Sequence, residues 1–428
     1  MLPIKRTGFV LLAVILLWGT ACRKYAEGPA AVSNSPAYLR VFNIAPLTAT
    51  VLNSAAPAPF FTFIMDPKTD AAGVTNGGSI VGDWLGKRQE YVSSVSINEG
   101  NSLGASLDTF ITHNITYEYP GSAHVLTAPP IHGYDLSAWA QVPSGKHRVL
   151  FIARPQTDSP FVSLSPAIRK SILIDTTIDL QAGKVYTLEA VATDEDHNTF
   201  GAYLRQEQFV DQTFSDSNIY VGFYNLSGIP SAYSANSAYS GSSPYPNDFP
   251  DSMVISCTYH IFDWLTYNAS LLTTNLDYKY DPLQGFNNIY LTTLTQRMNT
   301  TTQFLPFPLL PSSYYYDDQG IFSSYSPGPR SPVNSGSLPF VEFDIGSLNT
   351  ALNSNTYEII CDNDPATIND FDPSFLVFEE GYQRLAYWTA SLSHFTNVNG
   401  VITARPSLII FEIAYGYVYM MRIQQASY

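Results

Sequence analysis

The chain has 428 residues, of which 13% are charged and 14% are aromatic, and its formal net charge is −15. This charge argues against nucleic acid and anionic lipid surfaces as partners, because both would repel the protein. The length exceeds one ordinary domain and predicts two or three. With 29 Tyr residues and few Glu, Lys or Arg, the composition favours β-structure over helix.

The first residues have the pattern of a bacterial export signal. Lys5 and Arg6 precede an apolar run at 9–18, and the small residues at 19–21 follow it. The run is too short for a spanning helix. Because Cys22 comes next, the pattern resembles a lipobox and predicts a signal peptide at 1–21 with lipidation of Cys22. The alternative is an ordinary signal peptide that happens to have a cysteine nearby.

The residues after the cysteine predict a tether and then a first β-domain. Residues 22–36 mix Ala, Ser, Asn, Gly and Pro without apolar periodicity, which is typical of a flexible linker. Alternating apolar segments separated by Pro and Gly turns follow, and they predict a β-sandwich over residues 37–214.

The second half begins with a segment that resembles the first predicted strand. Residues 218–230 and 38–46 both alternate, reach Phe or Tyr followed by Asn, and end at a Pro turn. This weak internal repeat predicts a second sandwich at 215–428. Two segments rich in Tyr, Pro and Ser, 231–251 and 305–339, are expected to be long loops. Residues 406–423 predict a final strand pair that turns near Gly416.

Three short motifs resemble a known bacterial family. They are the strand Leu39-Arg40-Val41-Phe42-Asn43 with Pro46, the turn Val142-Pro143-x-Gly145, and Leu180-x-Ala182-Gly183-Lys184 before another strand. In this order they resemble the domain of unknown function 4397 family of secreted and lipid-anchored surface proteins. The similarity covers about residues 37–226 with an insertion at roughly 53–135. It implies immunoglobulin-like β-sandwiches, often in tandem, and no catalytic residues.

One segment matches a catalytic motif, but its context argues against an enzyme. Residues 100–104 fit G-x-S-x-G with Ser102 as the nucleophile. That chemistry needs a helix after the serine, whereas residues 107–116 alternate like a strand. A glycine-rich loop is the preferred interpretation. The histidines do not have zinc-ligand spacing, so no catalytic metal is expected.

Two acidic segments are weak candidates for calcium, since calcium takes several hard oxygen ligands. The first, 194–196, is adequately explained as a solvated hairpin tip. The second contains Asp362, Asp364, Asp370 and Asp372. Neither has the EF-hand pattern, and no other cofactor is expected.

The two remaining cysteines, Cys257 and Cys361, would lie in a compartment that permits disulfides. They could pair, or both could be buried thiols.

Tyr314, Tyr315 and Tyr316 could form an exposed aromatic surface for a sugar or a protein. Packing of each ring over a sandwich edge is the alternative.

These patterns predict an all-β protein with two immunoglobulin-like sandwiches in tandem. Its expected function is that of a non-enzymatic lipoprotein of the cell envelope, anchored to the outer membrane, which binds a glycan or another envelope protein or has a structural role. The residues after Cys22 leave open whether it faces the periplasm or the cell surface. The alternatives are a pilin-like or adhesin subunit and a secreted hydrolase, either a glycosidase or a serine hydrolase.

Overall fold

A computed structural model gives the architecture of the protein, which is all-β, as predicted. It describes residues 35–45, 60–86, 91–93, 118–121, 123–155, 157, 159–194, 199–215, 218–226, 253–262, 280–282, 285, 287–294, 304–308, 340–347, 357–362, 387–391, 394–398, 401–405, 408–414 and 417–423. The only α-helix within these ranges is α1, Pro166–Arg169. The Ser165 hydroxyl caps it by accepting a hydrogen bond from the Ile168 amide.

Within the described ranges, nine strands precede residue 207. They are β1 Pro36–Asn43, β2 Phe60–Met65, β3 Ile80–Leu85, β4 Tyr91–Ser93, β5 Ala140–Pro143, β6 Gly145–Arg154, β7 Ile172–Leu180, β8 Val185–Asp194 and β9 Thr199–Gln206. Eight of them form a sandwich. One sheet, here the first inner sheet, has the order β5-β1-β8-β9, and the first outer sheet has the order β3-β2-β6-β7.

The strands form where apolar residues alternate, because alternate side chains point to opposite faces of a sheet. Leu39 and Val41 of β1 point into the core between the two sheets, where they pack with Phe63 and Phe151. The turn predicted at Gly183 is confirmed, whereas Gly145 is the first residue of β6, and the chain passes there from β5 of one sheet into β6 of the other without a turn. Both glycines have positive φ, +119° and +74°, which other residues rarely adopt.

The stretch at roughly 53–135, which the resemblance treats as an insertion, contributes to the sandwich. β2 and β3 lie within that stretch, and they are half of the first outer sheet. The sandwich would lack one side of its core without Phe61 and Phe63 of β2, which are completely buried.

Twelve strands follow in the parts of the second half that the structure describes. They are β10 Asn218–Asn225, β11 Met253–Phe262, β12 Tyr280–Pro282, β13 Ile289–Leu294, β14 Leu305–Pro308, β15 Phe340–Ser347, β16 Tyr357–Asp362, β17 Tyr387–Ser391, β18 His394–Val398, β19 Val401–Arg405, β20 Leu408–Ala414 and β21 Tyr417–Ile423. The predicted final strand pair is confirmed by β20 and β21. The loop predicted at 305–339 begins with β14, an edge strand, where its two prolines are tolerated.

The two halves share one topology. The second inner sheet has the order β14-β10-β20-β21, and in the second outer sheet β13, β11, β15 and β16 pair as β3, β2, β6 and β7 do. β1 and β10 have the same burial pattern along their eight residues. The weak repeat seen in two strands therefore extends over eight strands. The second half repeats the first fold and adds β12 and β17 to its outer sheet and the separate pair β18 and β19.

β4 is an exception to this duplication, because it belongs to the first half of the chain but lies in a sheet of the second sandwich. It pairs in parallel with β21, where Val92 lies opposite Met421. A segment of the first half thus completes the second inner sheet at its edge.

The two inner sheets pack against each other, so the inner and outer sheets of the two sandwiches form a stack, and the described strands β18 and β19 form a separate two-stranded sheet. Phe42 of the first inner sheet and Tyr224, Ile410 and Met421 of the second belong to one buried cluster. Phe209, in the segment that joins the halves, is also completely buried there. The connection between the sandwiches is therefore part of a core and does not act as a flexible linker.

On the first outer sheet, a buried ion pair holds the segment between β6 and β7. Asp83 accepts hydrogen bonds from the Arg154 guanidinium, from Thr62 Oγ1 at 2.9 Å and from the Phe161 amide at 2.7 Å. Arg154 also donates to the carbonyl oxygen of Thr157 at 3.0 Å. This network fixes Phe161 over the outer face of the sheet.

We expect Asp83→Ala to destabilise the protein by about 3 kcal/mol, because it leaves the Arg154 guanidinium buried without its carboxylate. Urea denaturation measures the loss, and limited proteolysis should cut the segment at 155–171 faster. The control is Asp175→Ala, which removes a solvent-exposed ion pair with Arg148 and should cost less than about 1 kcal/mol. Equal losses in the two variants would contradict the role given to Asp83.

Candidate functional site

The most unusual chemistry in the described residues lies between the two inner sheets. Four charged side chains, Glu189, Arg205, Glu207 and Glu412, converge there with at most 3% of each side chain exposed. Together with Tyr224 they are called the junction cluster. Isolated buried charges are costly, so such a group calls for a physical explanation.

Arg205 is the centre of the cluster. Its Nη2 and Nε donate to Glu207 Oε1 at 2.9 and 3.2 Å, and the Thr187 hydroxyl donates to the same oxygen at 2.5 Å. Arg205 Nη2 also contacts Glu412 of the second sandwich, and Nη1 lies 3.6 Å from Glu189 Oε1. The arginine therefore connects three carboxyl groups across the boundary between the sandwiches.

Two of these carboxyl groups occupy equivalent positions in the two copies of the fold. Glu189 lies between Phe42 and Tyr203 in the first inner sheet. Glu412 lies between Tyr224 and Tyr419 in the second. Each copy thus contributes an aromatic–Glu–Tyr row to the same buried junction, and the two sandwiches meet through equivalent faces.

The cation does not follow this symmetry. In the first copy, Arg205 of β9 pairs with Thr187 of β8. In the second copy, the equivalent strands are β21 and β20, and Met421 is the residue that occupies the place of Arg205, opposite Ile410. A single arginine therefore serves a pair of equivalent glutamates. Arg205 also lies over the Tyr224 ring, with Cζ 4.3 Å from the ring centroid.

The electrostatics favour a permanently charged Arg205. Burial alone would lower the pKa of Arg205, but attraction by Glu207, Glu412 and Glu189 outweighs it and holds the pKa well above its usual value. Burial also raises the pKa of Tyr224, so this phenol stays neutral at ordinary pH. The cluster is therefore one fixed positive charge among three acidic groups.

A second buried arginine lies next to the cluster but is paired separately. Arg40 donates from Nη2 to both oxygens of Glu118 at 3.0 Å. Its guanidinium stacks on Phe42 and Trp139, with Cζ 4.6 and 5.2 Å from the ring centroids. It also approaches Met421 Sδ at 4.0 Å. Arg40 thus ties β1 to the second sandwich.

The cluster is a structural and electrostatic site, since its carboxyl groups have no exposed surface that a substrate could reach. Within the described ranges, no group of three or more His, Cys, Asp or Glu side chains has an arrangement that would hold a metal ion. Two buried oxygens, Glu207 Oε2 and the Tyr224 hydroxyl, have no hydrogen-bond partner among the described residues.

Most of the site residues predicted from sequence cannot be placed relative to one another, because they are outside the ranges that the structure describes. Cys22, Ser102, Tyr314, Tyr315, Tyr316, Asp364, Asp370 and Asp372 lie outside the described residues, as do Glu195 and Asp196. Asp194 and Asp362 are the last residues of β8 and β16, where only their backbone is described.

Cys257 is a free, buried thiol, and burial with the nearby Asp344 charge raises its pKa to about 12. It lies on β11, whereas Cys361 lies on β16, and β15 runs between these two strands. Two strand spacings put the Cα atoms at least about 9 Å apart. A disulfide needs them within about 7 Å, so the buried-thiol interpretation holds for Cys257.

Comparison with known proteins adds no relative. No protein-family model matches the chain, and no curated protein is significantly similar to it. Among the described residues there is also no helix that is long and apolar enough to cross a membrane.

Proposed function

We propose that this protein is a non-enzymatic lipoprotein of the cell envelope, most simply of the outer membrane, anchored through acylated Cys22. Its ectodomain would be a rigid module that binds a glycan or another envelope protein, or that has a structural role. The anchor is supported by Lys5, Arg6, the apolar run at 9–18 and the small residues before Cys22. Either face of the membrane is compatible with this proposal.

The main support for the role proposed for the ectodomain is that two copies of one fold pack against each other through a buried junction. Arg205 and Glu412 join the sandwiches, and the connecting residue Phe209 is in the same core. A rigid stack holds the loops of both sandwiches in a fixed relation, which lowers the entropic cost of binding a partner. A role in the envelope needs no catalytic group, and the buried acids offer no surface for one.

Membership of the domain of unknown function 4397 family is part of this proposal. The turn at Gly183, which belongs to one of the motifs that carry the resemblance, has the expected conformation. The duplicated topology is also compatible with a family whose domains often occur in tandem.

We expect Cys22→Ser to abolish incorporation of a fatty-acid label in the native host and to leave the leader uncleaved. Mass spectrometry of the amino-terminal peptide and label counting measure both effects. The matched control is Cys257→Ala, which removes a buried thiol elsewhere and should keep the label. Mature wild-type protein whose Cys22 thiol carries no lipid would overturn the anchor.

The binding role is tested by a glycan array and a pull-down from envelope extract with the detergent-solubilised mature protein. A reproducible glycan or protein partner supports the module. Turnover of a glycan or ester substrate, lost in Ser102→Ala or in a single carboxylate variant, would instead support the hydrolase alternative.

The structure offers one feature in favour of a pilin-like subunit, the second candidate. β4 of the first half completes the edge of the second inner sheet beside β21, and strand addition of this kind between chains builds polymers. If β4 served a neighbouring chain, gels of unboiled samples would show ladders. A single monomer band would exclude this assembly.

A further inference from the structure

The two inner sheets end differently on equivalent sides. In the second inner sheet, β4 lies beyond β21 and pairs with it in parallel, from Tyr91 opposite Met420 to Ser93 opposite Arg422. In the first inner sheet, β9 occupies the place of β21, and among the described strands it pairs with β8 alone. The described part of the first copy therefore has no counterpart of β4.

The residues at the two edges differ in burial in the same way. Tyr203 and Leu204 of β9 correspond to Tyr419 and Met420 of β21, because they pair with equivalent residues of β8 and β20. Tyr419 and Met420 are at most 2% exposed, whereas Tyr203 and Leu204 are only partly buried. The edge of the first copy thus leaves apolar side chains accessible where the second copy buries them.

The backbone of β9 has hydrogen-bonding groups that point out of the sheet at this edge. The Glu207 amide donates to the Val185 carbonyl oxygen of β8. Successive residues of an antiparallel strand alternate in direction, so the amides of Leu204 and Gln206 point away from β8. Neither amide has a backbone partner among the described residues. A parallel strand beside β9 would accept hydrogen bonds from both.

The sequence of β9 does not protect this edge against strand addition. Natural edge strands are often protected by proline or lysine. The edge strands on the other side of the inner sheets contain proline, Pro143 in β5 and Pro306 and Pro308 in β14. β9 contains neither proline nor lysine. The edge without this protection is the one whose counterpart, β21, takes an added strand.

The outer sheets show the same difference on this side. In the second outer sheet, β16 pairs in parallel with β17, from Glu358 opposite Tyr387 to Asp362 opposite Ser391. The corresponding strand of the first copy is β7, and its described partner is β6. The second copy therefore takes a parallel strand at both of these edges, which shows that the fold accommodates such an addition.

We propose that β9 binds an extended segment of a partner protein, which adds to the first inner sheet as a parallel strand beside Leu204 and Gln206. β4 indicates the chemistry of this segment, since Tyr91, Val92 and Ser93 are uncharged and two of them are strong strand formers. β4 itself is paired with β21 and does not supply the segment within its own chain. In this mode of recognition, main-chain hydrogen bonds provide the affinity. The inference rests on the proposed binding role and specifies a protein as the partner.

The test uses a synthetic peptide with the sequence of residues 88–96, which includes β4, and the full-length protein. Gln206→Pro removes one outward amide, and proline is tolerated in edge strands. Gln206 belongs to none of the buried clusters, so its replacement leaves the cores intact. Fluorescence anisotropy should show saturable binding to wild type and at least about tenfold weaker binding to Gln206→Pro. The matched control, Gln206→Thr, keeps the amide and should bind within about twofold of wild type.

Hydrogen exchange of the wild-type protein gives a second readout that does not depend on how a variant folds. The peptide should slow exchange of the Leu204 and Gln206 amides and leave the Arg205 amide unchanged, because that amide points toward β8. The proposal fails if binding is not saturable, if the proline and threonine variants bind equally well, or if exchange slows only in β21. A dimer of the full-length protein that Gln206→Pro dissociates would also contradict it, because a second copy would then occupy the edge.

Failure at β9 is distinguishable from failure of the binding role itself. A glycan or protein partner that binds Gln206→Pro as tightly as wild type would support the binding role and overturn strand addition at β9.

Discussion

Replacing Arg205 by methionine is expected to destabilise the protein by about 4 kcal/mol, among the largest effects of any single change. Removal of one partner from a buried ionic group leaves the others uncompensated, at a cost of about 3–5 kcal/mol. Here Glu189, Glu207 and Glu412 would all lose their contact with the Arg205 guanidinium. Urea denaturation measures the loss, and small-angle X-ray scattering would detect separation of the sandwiches.

The duplication supplies an internal control for this variant. Met421 occupies the equivalent position in the second copy, so a methionine is compatible with this place in the fold. Adding Glu189→Gln, Glu207→Gln and Glu412→Gln to Arg205→Met should therefore recover most of the lost stability, because the four charged groups of the junction cluster are then all replaced by neutral ones. If the quadruple variant were as unstable as Arg205→Met alone, the loss would have to come from packing.

The fold class was predictable because it is a property of local pattern. The alternation of apolar and polar residues predicted the strands, and the segment from Tyr38 to Pro46 resembled residues 218–230. The shared Asn of these segments has a structural reason in the first copy. Asn43 is completely buried, accepts from the Ala45 amide at 3.2 Å and donates to the Leu85 carbonyl at 3.3 Å.

The strand pairing between the halves was not predictable in the same way. β4 has only three residues, and its partner β21 lies more than 300 positions further along the chain. Nothing in a three-residue segment specifies such a partner, because the pairing depends on the stacking of the two inner sheets. Contacts between distant segments are set by the tertiary fold and leave no periodic trace in sequence.

The junction cluster was missed, although the sequence contained a signal for it. Glu412 interrupts an otherwise apolar strand, and Glu189 does the same between Leu188 and Ala190. A charged residue in a strand that is buried on both faces needs a partner. The partner, Arg205, could be identified only once β9 was placed against the second sandwich.

The same junction explains why Trp139→Ala is expected to cost about 3–5 kcal/mol. Trp139 is completely buried in the core between the inner sheets, and truncation of a buried aromatic ring leaves a cavity. Its ring also stacks on the Arg40 guanidinium at 5.2 Å, so the arginine would lose an aromatic neighbour and keep its contact with Phe42.

A milder variant separates the two contributions of the tryptophan. Trp139→Phe keeps most of the apolar volume and an aromatic face toward Arg40, and it removes an indole N–H that has no hydrogen-bond partner among the described residues. We therefore expect it to cost less than half as much as Trp139→Ala in thermal or urea unfolding. Equal losses would mean that the fit of the indole, rather than its volume, holds Arg40 against the second sandwich.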